Sequence, residues 1–201
     1  MQDRFLMMQA KFDSIDAFNH IVERHQARLY RFAYGLLGDS RAEDCVQETF
    51  LNAWEKRKNY RGGSVSAWLM TIVKNKCVDQ MRRRQTIPLE ESQLEKEQLH
   101  PFQSATMHGT AHNDPETEMG TKEVRSALKG CYATLSQDHR LVIQMWLENL
   151  KYREIAEVLQ IPINTVRSRL ARAIAKLRDC LRIQHTELFS SEIRQSGKIS
   201  K

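Results

Sequence analysis

Arg167, Arg169, Arg172 and Lys176 recur at steps of two to four residues, interleaved with the apolar residues Val166, Leu170, Ala173 and Ile174. Between Ile163 and Arg182 there are six basic residues against one acidic residue, Asp179, a local excess of +5. A solvated helix rarely needs such an imbalance, whereas guanidinium and ammonium groups gathered on one side suit a polyanion. If the stretch is helical, its apolar residues turn inward and its basic residues project, as a helix lying in the DNA major groove requires. Arg167 and Arg172 are then candidates for base edges, because a guanidinium meets guanine in a bidentate fashion. Arg169 and Lys176 suit phosphate contact, and Thr165 lies where the free N–H groups of a helix start favour a phosphate.

Such a helix needs a partner to hold it. Arg153 to Leu159 reads as a short helix, Gln160-Ile161-Pro162-Ile163-Asn164 as a turn, and Thr165 onward as a second helix with Asn164 a candidate cap. Ile155, Ala156, Leu159 and Ile161 supply an inward face for Val166, Leu170, Ala173 and Ile174. The unit is a helix-turn-helix, which identifies DNA binding only as a class; paired helices of a small bundle share its apolar period.

The remaining composition bounds the chemistry. The chain has 201 residues, 23.5 kDa, a formal net charge of +6 and a pI near 9.2, enough for one compact body or two small ones. The charge is segregated. Lys74 to Arg84 holds five basic residues against Asp79, and Gln85 to Gly120 holds seven acidic residues against Lys96. Cys45, Cys77, Cys131 and Cys180 form no CxxC pair, so free, mostly buried thiols in a reducing compartment are expected. His100, His108 and His112 are loosely spaced without a companion cysteine, so no metal site is expected. Neither a nucleotide-binding loop nor a catalytic cluster is present, which points to a protein without cofactor or enzymatic activity. The apolar run Phe5-Leu6-Met7-Met8 breaks at Gln9 and Lys11, too short for a signal-peptide core, and no membrane-length apolar stretch follows; a cytoplasmic protein is expected.

The periodicity predicts an all-α fold of two small helical domains joined by a flexible acidic linker, the second carrying the helix-turn-helix. In residues 1–84, Phe18, Ile21, Val22, Leu29, Phe32, Ala33, Leu36 and Leu37 form one stripe, and Gly38-Asp39-Ser40 interrupts it. Ser40 with Glu43 could begin a new helix as a capping box, with Val46, Phe50 and Trp54 on one face. After Tyr60-Arg61-Gly62-Gly63-Ser64, Trp68, Leu69, Ile72 and Val73 begin another buried face. Residues 85–120 lose this regularity around Pro88, Pro101, Gly109 and Pro115, with room for a short helix around Leu89 to Leu99. Residues 121–183 form the second domain, with Leu128, Leu135, Leu141, Val142, Met145, Trp146, Leu147 and Leu150 in its core, and 184–201 a polar, frayed tail.

Three motifs resemble the extracytoplasmic-function (ECF) group of the sigma-70 family of bacterial RNA polymerase sigma factors. Ala42-Glu43-Asp44-Cys45-Val46-Gln47-Glu48-Thr49-Phe50-Leu51-Asn52-Ala53-Trp54 is similar to the polymerase-binding part of family region two. Ala67-Trp68-Leu69 followed by Ile72, Asn75, Asp79 and Arg82 is similar to its promoter-melting part. Glu154-Ile155-Ala156 with Thr165-Val166-Arg167-Ser168-Arg169-Leu170 and Arg172-Ala173 resembles region four, which reads the minus-thirty-five element. Departures are local: Ser136 stands where proline is common and Asn164 where glycine is.

The resemblance implies docking on core RNA polymerase through Asp44, Gln47, Glu48 and Leu51, which share an outward helical side. It implies minus-ten DNA contact by Tyr60, Arg61, Ser64, Asn75, Lys76, Arg82 and Arg83, and minus-thirty-five contact by Thr165, Arg167, Ser168, Arg169, Arg172 and Lys176. Tyr60 either stacks on a displaced base or seals the edge of the core. Core polymerase, promoter DNA and a cognate anti-sigma factor, which could hold the protein at the membrane, are the implied partners. The acidic connector would run near the polymerase cleft as a mimic of nucleic acid, or serve only as a solvated tether. A stand-alone helix-turn-helix regulator is the alternative; it would bind a duplex operator without polymerase, normally as a dimer.

Overall fold

The computed structural model describes residues 2–86 and 115–196, all of it helical apart from turns. The connector carboxylates Glu90, Glu91, Glu95 and Glu97, the three histidines and the short helix around Leu89 to Leu99 lie outside the described residues. The chain divides into two compact units: the first draws on Met1–His100 and Leu141–Arg167, the second on Pro101–Arg140 and Ser168–Lys201. This division cuts across the consecutive segments 1–84 and 121–183, because two continuous helices, Gln137–Leu147 and Ile163–Ser196, each contribute to both units.

In the first unit α1 (Gln2–Lys11), α2 (Ile15–Leu37), α3 (Asp39–Glu55) and α4 (Val65–Thr86) pack together, with a short 3-10 turn at Arg57–Asn59. Ser14 caps α2 by accepting a hydrogen bond from the Ala17 N–H at 3.3 Å. The buried face of α2 is Phe18, Ile21, His25, Leu29, Phe32 and Leu36, a run of three- and four-residue steps. Ala42, Cys45, Val46, Thr49, Phe50 and Ala53 from α3 and Leu69, Met70, Val73 and Cys77 from α4 complete that core. Thr49 is accommodated there because its hydroxyl donates to the Cys45 carbonyl at 2.7 Å. The third helix begins at Asp39 behind Gly38, whose φ of 71° few other residues tolerate, so Ser40 lies inside the helix.

The same unit includes the end of α6 (Gln137–Leu147), α7 (Tyr152–Leu159) and the start of α8 (Ile163–Ser196). Seventh and fourth helices pack against each other. Arg31 donates from Nε and Nη2 to the Glu148 carboxylate at 3.1 and 2.8 Å, a two-pronged pair that compensates burial of that acid. Gly35 lies within α2, where a Cβ would sit 2.1 Å from the Gln144 side-chain nitrogen, so any larger residue would require that flexible amide to turn away.

The second unit contains α5 (Pro115–Ala133), the first residues of α6 and most of α8. A proline at the first position of α5 suits a helix start, and the helix therefore begins inside the segment expected to be connector. At the other end α8 runs to Ser196, well past Ile183, so the expected tail is helical over most of its length. Cys131 and Cys180 are joined by a disulfide between α5 and α8, with Cα atoms 5.8 Å apart. That corrects the expectation of four free thiols. Cys45 and Cys77 are free and buried, their sulfurs 3.4 Å apart between α3 and α4. The hydrogen bond from Cys77 holds the Cys45 thiol below its ordinary pKa, and the same bond with burial pushes Cys77 up.

Several residues assigned to the second core lie at the surface: Leu128, Trp146, Leu147 and Ile174 are all more than 40% exposed. Leu135, Leu141, Val142, Met145 and Leu150 are buried, but only Leu135 belongs to the second unit; the other four lie in the first. A helical period selects a stripe, but its width depends on how many neighbours surround the helix.

Buried His25 and half-buried His139 make stability sensitive to acid. Burial holds His25 below the usual imidazole range, although Asp3 accepts or shares a hydrogen bond with its Nε2 at 2.9 Å and opposes the shift. His139 is lowered by burial and then by the positive charge of Lys176. Both rings take up a proton more readily in the unfolded chain, so stability is full above about pH 6.5 and declines as pH falls through the lowered folded values. Burial pushes Asp3 up, but hydrogen bonds from Arg24 and His25 outweigh it and the carboxyl titrates below its ordinary range, so its loss comes at lower pH. The thermal midpoint is expected to be lower at pH 5.5 than at pH 7.5, and His139→Gln to remove part of that drop. A midpoint unchanged between the two conditions would contradict the assignment of His25 and His139 as imidazoles held neutral in the folded protein.

Candidate nucleic-acid interface

The helix-turn-helix is built from the end of α6 onward. Asn149 adopts φ 60° just past α6, and the Leu150 N–H reaches back to the Met145 carbonyl at 3.1 Å, closing the helix end. Glu154 then accepts from the Lys151 N–H at 2.9 Å, which satisfies a donor at the entry to α7. The turn pivots on Gln160, left-handed at φ 55° and ψ 44°, while the Ile161 N–H returns to the Ala156 carbonyl at 3.1 Å. Pro162 accepts from the N–H groups of Thr165 and Val166, so α8 starts at Ile163, two residues before the expected position, and Asn164 lies in its first turn instead of capping it.

Ile155, Val158, Val166, Leu170 and Ala173 are buried, and Arg167, Ser168, Arg172 and Lys176 are exposed. On α7 the buried residues are thus Ile155 and Val158, whereas Ala156, Leu159 and Ile161, expected to face inward, are half-buried, and on α8 Ile174 is exposed. Thr165 is half-buried near the helix start. Arg169 is also half-buried and pairs with Asp138 of α6 at 2.7 Å, a contact that the spacing of basic residues along α8 did not indicate. Arg167, Ser168 and Arg172 therefore present the open polar surface of the first turns, with Lys176 one turn beyond Arg172.

On α3 the side chains of Asp44, Gln47, Glu48 and Leu51 all face outward, opposite Cys45, Thr49 and Phe50. Leu51 is 66% exposed, an apolar residue with no role in the core of its own helix. Trp54 is drawn inward, with its ring 5.1 Å from Phe18 and the Arg57 guanidinium 4.0 Å above it.

Tyr60 takes the second of the two roles open to it. It is 6% exposed, its ring stands 5.5 Å from Trp68, and its hydroxyl donates to the Gly63 carbonyl at 2.8 Å. Burial raises its pKa, which keeps the phenol a donor. Ser64 accepts from the Ala67 N–H at 3.2 Å and so caps α4. Gly62 and Gly63 have φ of 100° and 93° and allow the loop between these anchors to fold tightly. Arg61, Asn75, Arg82 and Arg83 are exposed. Lys76 pairs with Glu48 at 2.7 Å, so one member of the expected minus-ten set is tied to one member of the expected docking set.

The N-terminal helix adds a surface that apolar run length did not indicate. Arg4, Phe5, Met8 and Phe12 line a groove of about 920 Å³ with Tyr60, Arg61 and Gly62. Phe5 and Met8 on the exposed side of α1 and Phe12 in the turn just after it recur at three and four residues, a pattern visible once the segment is read as a helix.

Among the described residues no cluster of His, Cys, Asp and Glu could hold a metal ion, and no helix is long and apolar enough to cross a membrane. Residues 21–87 match the family model for sigma-70 region 2, and residues 125–177 match that for sigma-70 region 4. ECF RNA polymerase sigma-E factor of Salmonella typhimurium is 30% identical over 179 residues, covering 86% of this chain and 91% of that protein. ECF RNA polymerase sigma factor SigE of Mycolicibacterium smegmatis is 29% identical over 180 residues; the match covers 89% of this chain and 66% of that longer protein. Among solved structures, CnrH in complex with the cytosolic domain of CnrY has a TM-score of 0.64 and 25% identity, covering 91% of this chain and 99% of CnrH. With both regions matched in order, an all-α fold and relatives aligned across nearly all of its length, the chain belongs to the ECF group of the sigma-70 family: it is a transcription sigma factor and not an enzyme.

Proposed function

We propose that the chain binds core RNA polymerase through the outward side of α3, directs it to specific promoters, and assists DNA opening in an envelope or environmental stress response. The observation that carries the proposal is the exposed set Asp44, Gln47, Glu48 and Leu51 on a helix whose opposite side is fully packed. Polar groups supply register and Leu51 an apolar anchor, the division of labour usual in protein interfaces.

Functionally, residues 1–84 serve polymerase and minus-ten DNA, 85–120 connect, 121–183 read the minus-thirty-five element, and 184–201 extend from that segment. Arg61, Asn75, Arg82 and Arg83 carry the minus-ten contacts. Tyr60 and Ser64 act there by shaping the loop, and Lys76 becomes available when the polymerase displaces Glu48. Arg167 and Arg172 read bases, while Thr165, Ser168, Arg169 and Lys176 position the helix on phosphates. The energy for melting comes from favoured binding of displaced single strand and from polymerase contacts. The protein works in the cytoplasm, and a cognate anti-sigma factor holds it inactive, at the membrane where that partner is membrane-bound. Support for that partner comes from the similar structure of the sigma factor RpoE of Bartonella quintana, of TM-score 0.60 and 27% identity, solved in complex with the anti-sigma factor NepR.

The test is transcription from a randomised promoter library by purified core polymerase with and without the chain. Site-specific initiation dependent on the chain is expected. Identical transcripts in both reactions, with a working sigma control, would refute the proposal, and a specific duplex complex formed without polymerase would favour a stand-alone regulator.

A further inference from the structure

We propose that the Cys131–Cys180 disulfide is a reversible covalent clasp that holds the promoter-reading helix in its DNA-binding form, so that thiol redox state sets upstream promoter affinity. The inference rests on the reading of α8 as the minus-thirty-five helix. Its starting observation is the bond itself, which joins α5 to α8 across 49 residues of chain.

The distribution of burial along α8 shows why the bond matters. Val166, Leu170 and Ala173 are fully buried, but after Ala173 no described side chain of the helix is, and Ile174 and Ile183 are 45% and 63% exposed. Cys180 lies one turn beyond Lys176 and two turns beyond Arg172, within about 12 Å along the axis at 1.5 Å per residue. The helices are also close one turn further on, where a Cβ at Gly130 would lie 3.6 Å from the Gln184 side-chain nitrogen. Apolar packing therefore holds the first turns of α8, and the disulfide holds the part that follows.

The two sulfurs differ in access. Cys131 is 1% exposed, whereas Cys180 is half-buried and flanked along the helix by Arg178 and Arg182. A thiolate of a dithiol reductant attacks Cys180 Sγ, the Sγ–Sγ bond breaks, and Cys131 leaves as a thiolate that takes a proton from solvent. The second thiol of the reductant then attacks the mixed disulfide and releases Cys180, which is protonated in turn. Two electrons and two protons pass to the protein and the reductant ends as its own disulfide. Exchange with the oxidised form of the same class of dithiol runs the sequence backward. Cys45 and Cys77, both fully buried, lie out of reach of this exchange in the folded protein.

The full-length chain would be prepared bonded, reduced with a dithiol and desalted, and as Cys131→Val/Cys180→Val. Each form would be loaded on core polymerase and mixed with a duplex library randomised over the upstream promoter element. The bonded form is expected to bind its preferred sequences about tenfold more tightly than the reduced form, a difference comparable to one positioned base contact. The valine variant should match the reduced form and ignore redox treatment; circular dichroism identifies a misfolded variant, in which case the comparison of bonded and reduced wild-type chains decides alone. Peptide mapping should recover the Cys131–Cys180 cross-link before reduction and lose it afterwards without unfolding. Equal upstream affinity of the bonded and reduced chains would overturn the proposal, as would a bond that opens only on denaturation or is absent from the oxidised protein. Failure of every form, including the bonded one, to select any upstream sequence while still loading on polymerase would instead refute the reading of α8, and the redox proposal with it.

Discussion

Core polymerase is expected to bind Asp44→Ala/Gln47→Ala/Leu51→Ala roughly 30-fold or more weakly than the unaltered chain, equivalent to loss of about 2 kcal/mol from one interface hot spot. All three side chains are exposed, so truncation removes no core contact and the helical circular dichroism and thermal midpoint should stay close to wild type. Leu51 is expected to contribute most, because its apolar surface is open to water in the free protein and is covered only on docking. Glu48 is left in place to preserve its pair with Lys76 at 2.7 Å, which separates the docking effect from any change in α4. Affinity measured by fluorescence anisotropy with labelled chain decides the matter. A folded triple variant with unchanged affinity would remove this side of α3 from the contact.

The second large effect concerns DNA. Arg167→Ala and Arg172→Ala should each weaken discrimination at the upstream element by about 1–3 kcal/mol, the range for a bidentate guanidinium on guanine. Both residues are exposed and neither supports the fold through a buried contact, so the loss should appear in promoter choice before it appears in stability. Arg169→Ala is the informative control: its partner Asp138 sits in α6, so its removal should lower thermal stability modestly and affect all sequences alike. Holoenzyme selection from the upstream library, followed by sequencing, distinguishes these results. Uniform weakening across all sequences by Arg167→Ala and Arg172→Ala would assign them to phosphates instead of bases.

Much of this architecture was legible before any coordinates because its causes are local. The stripe Phe18, Ile21, Leu29, Phe32 and Leu36 follows from the helical repeat, and it is buried. The outward side of α3 follows from the same geometry: once Cys45 and Phe50 turn inward, Asp44, Gln47 and Leu51 have to face away. The start of α5 is not legible from Pro115 alone, because proline suits a break and the first turn of a helix equally. The continuation of α8 to Ser196 is hidden in the sequence by the polar composition of that segment.

Residue type and spacing by themselves determined the helical class and the side of α3 that meets solvent, since each depends on chain neighbours within a turn or two, and the resemblance of three motifs supplied the order of the two sigma regions. Only the tertiary structure decided that Tyr60 seals the core against Trp68, that Lys76 and Arg169 are held by Glu48 and Asp138, and that Cys131 joins Cys180 while Cys45 and Cys77 remain thiols. Those outcomes depend on which groups meet across different elements, and no period along the chain encodes the distance between residues 49 positions apart.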